Sequence, residues 1–193
     1  MHDVSQEGRS TVELLEEIAQ LRGDVARLEA QVEELDQLAH RDVLAPCANR
    51  RGLIRELEMM IARHERHGTA GAILFVDLDG LKALNDSFGH AGGDAVLVHV
   101  AEQLVAGTRA TDCVARVGGD EFCVLLEHAD ENSARETAER LVNEIASDEF
   151  DYQGFPLPLS VAIGMSIIQS GDTAESLLAR ADEEMYRVKA AAA

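Results

Sequence analysis

The sequence predicts an α/β fold, a mixed central sheet flanked by helices, preceded by a helix suited to coiled-coil pairing. Two observations carry this. Short β-type runs alternate with amphipathic helical stretches from Asn49 to Lys189, with one hairpin pattern among them. Ahead of them, an uninterrupted heptad repeat runs from Leu14 to Ala39.

In chain order, residues 1–10 are expected to be disordered. Residues 11–40 form the heptad segment, with Ile18, Val25, Val32 and Ala39 at a and Leu14, Leu21, Leu28 and Leu35 at d. β-Branched residues at a with Leu at d favour a parallel two-stranded coil. The other reading is an amphipathic helix lying on its own domain; the strict seam favours a homodimer. Residues 41–193 form the second domain. Asn49 to His67 is expected to be helical, with Leu53, Leu57 and Ile61 on one face. Ala72 to Val76 is an apolar run expected to form a buried strand. A helix is expected from His90 to Ala106, then two strands from Val114 to Leu126 around a glycine turn. Ser133 to Ala146 is a further helix, Leu157 to Ile168 a strand, and Ala174 to Lys189 a closing helix.

Composition narrows the function. The 193 residues carry a formal net charge of -19, which argues against nucleic acid or an anionic membrane surface as a partner. An anionic substrate would need a few placed cations or metal ions. No apolar run is long enough to span a bilayer, and the polar N-terminus is no signal peptide. The three cysteines have no zinc-like spacing, so reduced thiols and a cytoplasmic location are expected.

Two acidic clusters carry the chemistry. In Arg116-Val-Gly-Gly-Asp-Glu-Phe122, glycines between two β-type stretches precede two carboxylates. Gly118 and Gly119 are expected to supply the positive φ of a tight turn and space for a phosphate. Asp120 and Glu121 supply hard oxygen ligands. Alone, this also fits an ordinary polar hairpin tip. The second cluster, Asp77-Leu-Asp79, follows the apolar strand, and residues two apart on extended chain share a side. Were the two strands neighbours, the carboxylates would meet as a divalent-metal site for a nucleotide.

The long run from Asp77 to Asp94, followed by Gly118-Gly-Asp-Glu-Phe122, resembles the GGDEF family, the diguanylate cyclases, over about Asp42 to Lys189. The resemblance implies a fold like the nucleotidyl cyclase and polymerase palm. It implies condensation of two GTP into cyclic di-GMP and two pyrophosphates by two facing domains. It assigns Asp77, the Leu78 carbonyl and Asp120 to Mg²⁺ (or Mn²⁺), and Glu121 either to deprotonation of the 3′-hydroxyl or to completing the metal site. Gly118 and Gly119 would pass close to the α-phosphate. Asn85 and Asp94 match guanine readers, although such residues also cap helices. Lys82 and Lys189 match phosphate-contacting lysines, or are solvated surface residues. The Gly89-His90 pair is expected to be structural. Arg109-Ala-Thr-Asp112 matches the R-x-x-D product-inhibition site, with Arg140 or Arg63 completing it from a facing domain.

The chain departs from the pattern in three places. Ala45, Pro46 and Cys47 replace Thr, Gly and Leu ahead of the first domain helix; Gly80 and Leu81 stand where aromatic residues are frequent. The tail keeps Tyr186 and Lys189 without the G-R-N-R run, leaving Arg187 as the substitute phosphate ligand. The leading expectation is an active cyclase. The alternative is a catalytically weak domain acting as a cyclic di-GMP or GTP receptor, or as a coiled-coil adaptor.

Overall fold

The computed structural model describes residues 11–192, so the disorder expected for residues 1–10 lies outside the described residues. The chain divides into two units, meeting between Ala39 and His40. The first is helix α1 (Thr11–His40), 30 residues and so about 45 Å long. Every aliphatic a and d residue from Leu14 to Leu35 is exposed on it. The helix thus presents an unburied apolar seam.

The second unit is built on a five-stranded sheet of order β1-β3-β4-β2-β7. Its strands are β1 (Ala48–Asn49), β2 (Gly71–Leu78), β3 (Cys113–Arg116), β4 (Glu121–Glu127) and β7 (Val161–Ile167). Strand β1 runs parallel to β3, and the other pairings are antiparallel. A separate two-stranded ribbon joins β5 (Phe150–Tyr152) and β6 (Phe155–Leu157). The helices are α2 (Arg50–His67), α3 (Leu81–Ala106), α4 (Glu131–Ser147) and α5 (Ala174–Ala192).

Strand β2 is central, and all eight of its residues are buried. Its alternation assigns Ala72, Leu74, Val76 and Leu78 to a core with Val96, Val100 and Leu104 of α3 and Leu141 and Ile145 of α4. Ile73 and Phe75 join Leu53, Leu57 and Met60 of α2 and Leu177, Ala181 and Met185 of α5. A strand covered on both faces reads as a continuous apolar run, as Ala72–Val76 does. Gly164 of β7 lies against α5, where a Cβ would collide with the Met185 amide nitrogen and the Ala181 carbonyl oxygen.

Two expectations are corrected, and one element was not foreseen. The helix anticipated from His90 begins at Leu81 and breaks at Gly89, whose φ of 72° is left-handed. Gly89 is therefore structural, as the sequence suggested. The single strand anticipated over Leu157–Ile168 is two, with Leu157 ending β6 and β7 starting at Val161. The β5–β6 hairpin was not anticipated; its turn places Gln153 and Gly154 at φ 56° and 87°, the two left-handed residues of a type I′ turn. Gln153 disguises that turn, because it is not a usual left-handed residue.

The altered Ala45-Pro-Cys47 segment is a tight turn. Asp42 accepts from the Leu44 and Ala45 amides at 3.0 and 2.9 Å, and Ala45 and Cys47 are buried in the α3-side core. The three cysteines are free thiols. Burial, then the Asp42 charge, pushes Cys47 up to about 11, so it stays a thiol at neutral pH. Among the described residues no helix is long and apolar enough to cross a membrane.

Candidate active site

Strands β2 and β4 are hydrogen-bonded neighbours, and their register sets Asp77 directly opposite Glu121. Opposed residues of an antiparallel pair point to the same face, so the two acidic clusters meet. The Leu78 amide donates to the Asp120 carbonyl at 3.0 Å, which holds the strand end against the glycine turn. Asp77 is nearly buried and receives the Lys189 ammonium on Oδ1. Lys189 reaches it from the last turns of α5, and the same Nζ lies 3.9 Å from Asp79 Oδ1. Asp79 Oδ2 accepts the Ser160 hydroxyl at 2.8 Å, so this second carboxylate is committed to the loop before β7.

The glycine turn works differently from the sequence expectation. Neither Gly118 nor Gly119 takes a positive φ. A Cβ at Gly118 would collide with the Glu121 carboxylate, so a side chain there would displace that carboxylate. Gly119 faces open space. The turn is closed by the Val117 amide donating to the Glu121 carbonyl at 2.9 Å. Arg116 braces it from outside, donating to the Gly119 carbonyl through Nε and Nη2 at 3.2 and 2.7 Å.

Burial, then the charges of Asp120, Asp182 and Asp77, pushes Glu121 above the ordinary carboxylate value; Arg50 opposes them. Arg50 and Asp182 line with Glu121 a groove of about 750 Å³ between α2 and α5. Neither was singled out in the sequence. Asp182 precedes Lys189 by seven residues, two helical turns, and that spacing was the available signal.

The donor chemistry fits a hard divalent cation: carboxylate oxygens, negative charge in excess, and an ammonium already drawn onto Asp77. Among the described residues, however, no group of three or more His, Cys, Asp or Glu side chains stands ready to hold a metal. Lys189 pairs with Asp77, and Ser160 donates to Asp79. Asp77, Asp120, Glu121 and the Leu78 carbonyl are the residues that would hold the ion.

The break at Gly89 positions the next pair. Eight residues of straight helix would span about 12 Å, separating Asn85 from Gly93. Instead the Asn85 amide lies so close to Gly93 that a Cβ there would collide with it, and exposed Asp94 follows directly. The segment carrying Asn85 is held by Phe88, which packs edge-on against Tyr152 at 6.1 Å and beside Phe155 at 5.8 Å. Lys82 is exposed on the first turn of α3. Gly80, with φ 73°, takes a left-handed conformation before α3 that an aromatic residue would adopt only under strain, and Leu81 is buried. Arg187, the anticipated substitute ligand, pairs with Glu184 at 2.9 Å on an exposed face.

A second constellation lies elsewhere on the same unit. Arg109, Asp112 and Arg140 line one pocket with Thr108, Ser133 and Thr137. Both Asp112 oxygens accept backbone amides, from Glu127 at 3.1 Å and Arg109 at 2.9 Å. Arg140 lines this pocket within its own chain, where α4 places it beside Gly107, whose carbonyl it binds at 2.7 Å. Arg63 is ion-paired with Glu127, which also lines the pocket. His64 Nδ1 bonds the Thr69 carbonyl at 2.9 Å.

Comparison with known proteins accords with this geometry. The family described as "Diguanylate cyclase, GGDEF domain" matches residues 39–193. Diguanylate cyclase DgcP of Pseudomonas aeruginosa is 34% identical over 190 residues, 98% of this chain and 28% of that protein. The bifunctional diguanylate cyclase/cyclic di-GMP phosphodiesterase MucR of the same species is 41% identical over 157 residues, 81% of this chain and 23% of that protein. The chain thus spans about a quarter of the length of these curated relatives. The crystal structure of the coiled coil and GGDEF domain of DgcB from Caulobacter crescentus, in complex with c-di-GMP, superposes with TM-score 0.84. It shares 26% identity, with 92% of this chain and 95% of that one covered.

Proposed function

The chain belongs to the diguanylate cyclase GGDEF-domain family, and from that premise we propose that it joins two GTP molecules into cyclic di-GMP, releasing two pyrophosphates. One juxtaposition supports this above all. Asp77 and Glu121 face each other across β2 and β4 beside the glycine turn, with Lys189 on Asp77. Carboxylates and a lysine at one strand end suit a nucleotide triphosphate with its cation.

In this reading the Asn85 amide and the Asp94 carboxylate read the guanine edge. Lys82 and Lys189 hold phosphate oxygens. Asp77, Asp120, Glu121 and the Leu78 carbonyl hold Mg²⁺ or Mn²⁺. When bound, the ion supplies a lowered pKa for the attacking oxygen and neutralises charge on the phosphoryl group. Glu121, whose proton affinity is raised by its buried acidic surroundings, accepts the 3′-hydroxyl proton. Gly118 and Gly119 leave the turn open for the α-phosphate. Residues 41–193 are the catalytic domain, and each domain of a pair supplies one GTP.

Residues 11–40 bring two such domains together as a parallel coil, supported by the exposed apolar seam of α1. Tethering raises the effective concentration of the facing half-sites. The Arg109–Asp112–Arg140 pocket binds the product and restrains the reaction, the arginines suiting guanine and phosphate edges. The reaction takes place in the cytoplasm, where GTP is supplied.

The test is incubation with GTP and Mg²⁺, with cyclic di-GMP followed by chromatography beside an Asp120→Ala and Glu121→Ala double variant. Product from the unaltered protein alone supports the cyclase and the acidic site together. Bound GTP or cyclic di-GMP without product moves the assignment to a receptor. The formed Arg109 pocket favours that second reading.

A further inference from the structure

Lys189 touches the one carboxylate that both the sheet register and the acidic cluster place at the centre of the site. Its Nζ sits on Asp77 Oδ1 and lies 3.9 Å from Asp79 Oδ1. Asp79 is otherwise bound to Ser160, and Asp77 has a side chain only 13% exposed. Lys189 is 42% exposed and projects from the last turns of α5, so its side chain has solvent to move into. Asp77 lies opposite Glu121 and two residues from Asp79, and Lys189 is the cation that pairs with it.

We propose that Lys189 is an exchangeable counter-ion: it holds Asp77 until a divalent cation takes that carboxylate, and the released ammonium then pairs with substrate phosphate. The inference rests on the nucleotide-site reading and adds an ordering to it. Lys189 holds either Asp77 or a phosphate oxygen, not both. It lowers the affinity of the empty site for a cation and raises that of the cation-loaded site for nucleotide. Cation and nucleotide therefore bind with positive coupling, because each removes a competitor or gains a partner through the same ammonium.

The chain has only two lysines, Lys82 and Lys189, which makes a direct test possible. A zero-length carbodiimide cross-link between Lys189 and the peptide containing Asp77 reports the pair, read by mass spectrometry without nucleotide. Asp77→Asn identifies the link. The cross-link is expected to fade as Mg²⁺ is added at constant ionic strength. In parallel, Mn²⁺ binding without nucleotide is followed by electron paramagnetic resonance for the unaltered protein, Lys189→Met and Lys189→Gln. Both variants are expected to bind Mn²⁺ roughly two- to fivefold tighter, the range for releasing one half-exposed charge pair. Their affinity for a non-hydrolysable GTP analogue with Mn²⁺ falls.

A cross-link that persists at saturating Mg²⁺ overturns the exchange, since the lysine and the cation would then share the carboxylate. Variants that bind Mn²⁺ no tighter overturn it as well. If neither the unaltered protein nor the variants bind Mn²⁺ alone, the exchange is wrong. The nucleotide-site reading falls only if the Mn²⁺–GTP analogue complex also fails to bind.

Discussion

Arg116 ties the start of the second unit to the glycine turn: its guanidinium donates twice to the Gly119 carbonyl, and its Nη1 lies 3.5 Å from Asp42. Asp42 in turn organises the turn through Ala45. A charge-assisted contact of this type contributes about 1.5–3 kcal/mol. Arg116→Met is therefore expected to lower kcat about ten- to a hundredfold, by loosening the carbonyl beside Asp120. Circular dichroism should show an intact fold; kcat retained near its original value would contradict the brace.

The two turn glycines are expected to respond differently. Gly118→Ala pushes a methyl into the Glu121 carboxylate. Its activity should fall at least tenfold, in the range for misplaced reacting groups, with a thermal midpoint within a few degrees of the unaltered protein. Gly119→Ala meets open space and needs no unusual φ. It should fold equally well, and any loss it shows should appear in KM for GTP. Steady-state kinetics of the pair make the comparison.

Much of this was legible in the sequence, for identifiable reasons. Ala72–Val76 announced its two-sided burial, and the acidic clusters announced a site once their strands proved adjacent. What escaped was information carried by partners distant in sequence. Ser160 claiming Asp79, and Arg140 reaching Gly107, depend on contacts 81 and 33 residues apart. The helical segment from Leu81 to Phe88 escaped, and the expected helix began only on the far side of the break at Gly89. The glycine turn was located correctly and explained wrongly, since steric room and left-handed φ leave the same residue type behind.

Arg180 and Asp172 form a clamp between α5 and the loop before it, with Nη2 to Oδ2 at 2.8 Å and Arg180 also binding Ser166 and the Ile167 carbonyl. The Arg180 hydrogen bond holds Asp172 down to about 2 from 3.8. A depressed carboxylate stabilises the fold above its unfolded value and ceases to do so as pH falls through its folded value. Asp172→Asn should cost on the order of 1–3 kcal/mol at pH 7. Urea midpoints for the two proteins should converge between pH 3.8 and about 2.

Replacing Leu21 and Leu28 by Glu places charge on the exposed seam of α1. Light scattering should then report a monomer where the unaltered protein is a dimer. The thermal midpoint of the second unit should be unchanged. Cyclic di-GMP formation should become second order in protein.

Arg109→Ala should raise the concentration of cyclic di-GMP needed for half-inhibition by roughly ten- to a hundredfold, the loss of one guanidinium contact. Initial rates without added product should be unaffected. Asp112→Asn is the less informative variant, because its oxygens already serve the Glu127 and Arg109 amides.

Gly164 gives the molecule a point of mechanical vulnerability far along the chain from its acidic residues. Helix α5 rests its own backbone on that position, so strand and helix behave as one stiff piece there. Adding a single methyl would lift the helix, and Lys189 rides on that helix beyond the contact. A substitution 25 residues before Lys189, touching no polar group, would thus swing the ammonium away from Asp77.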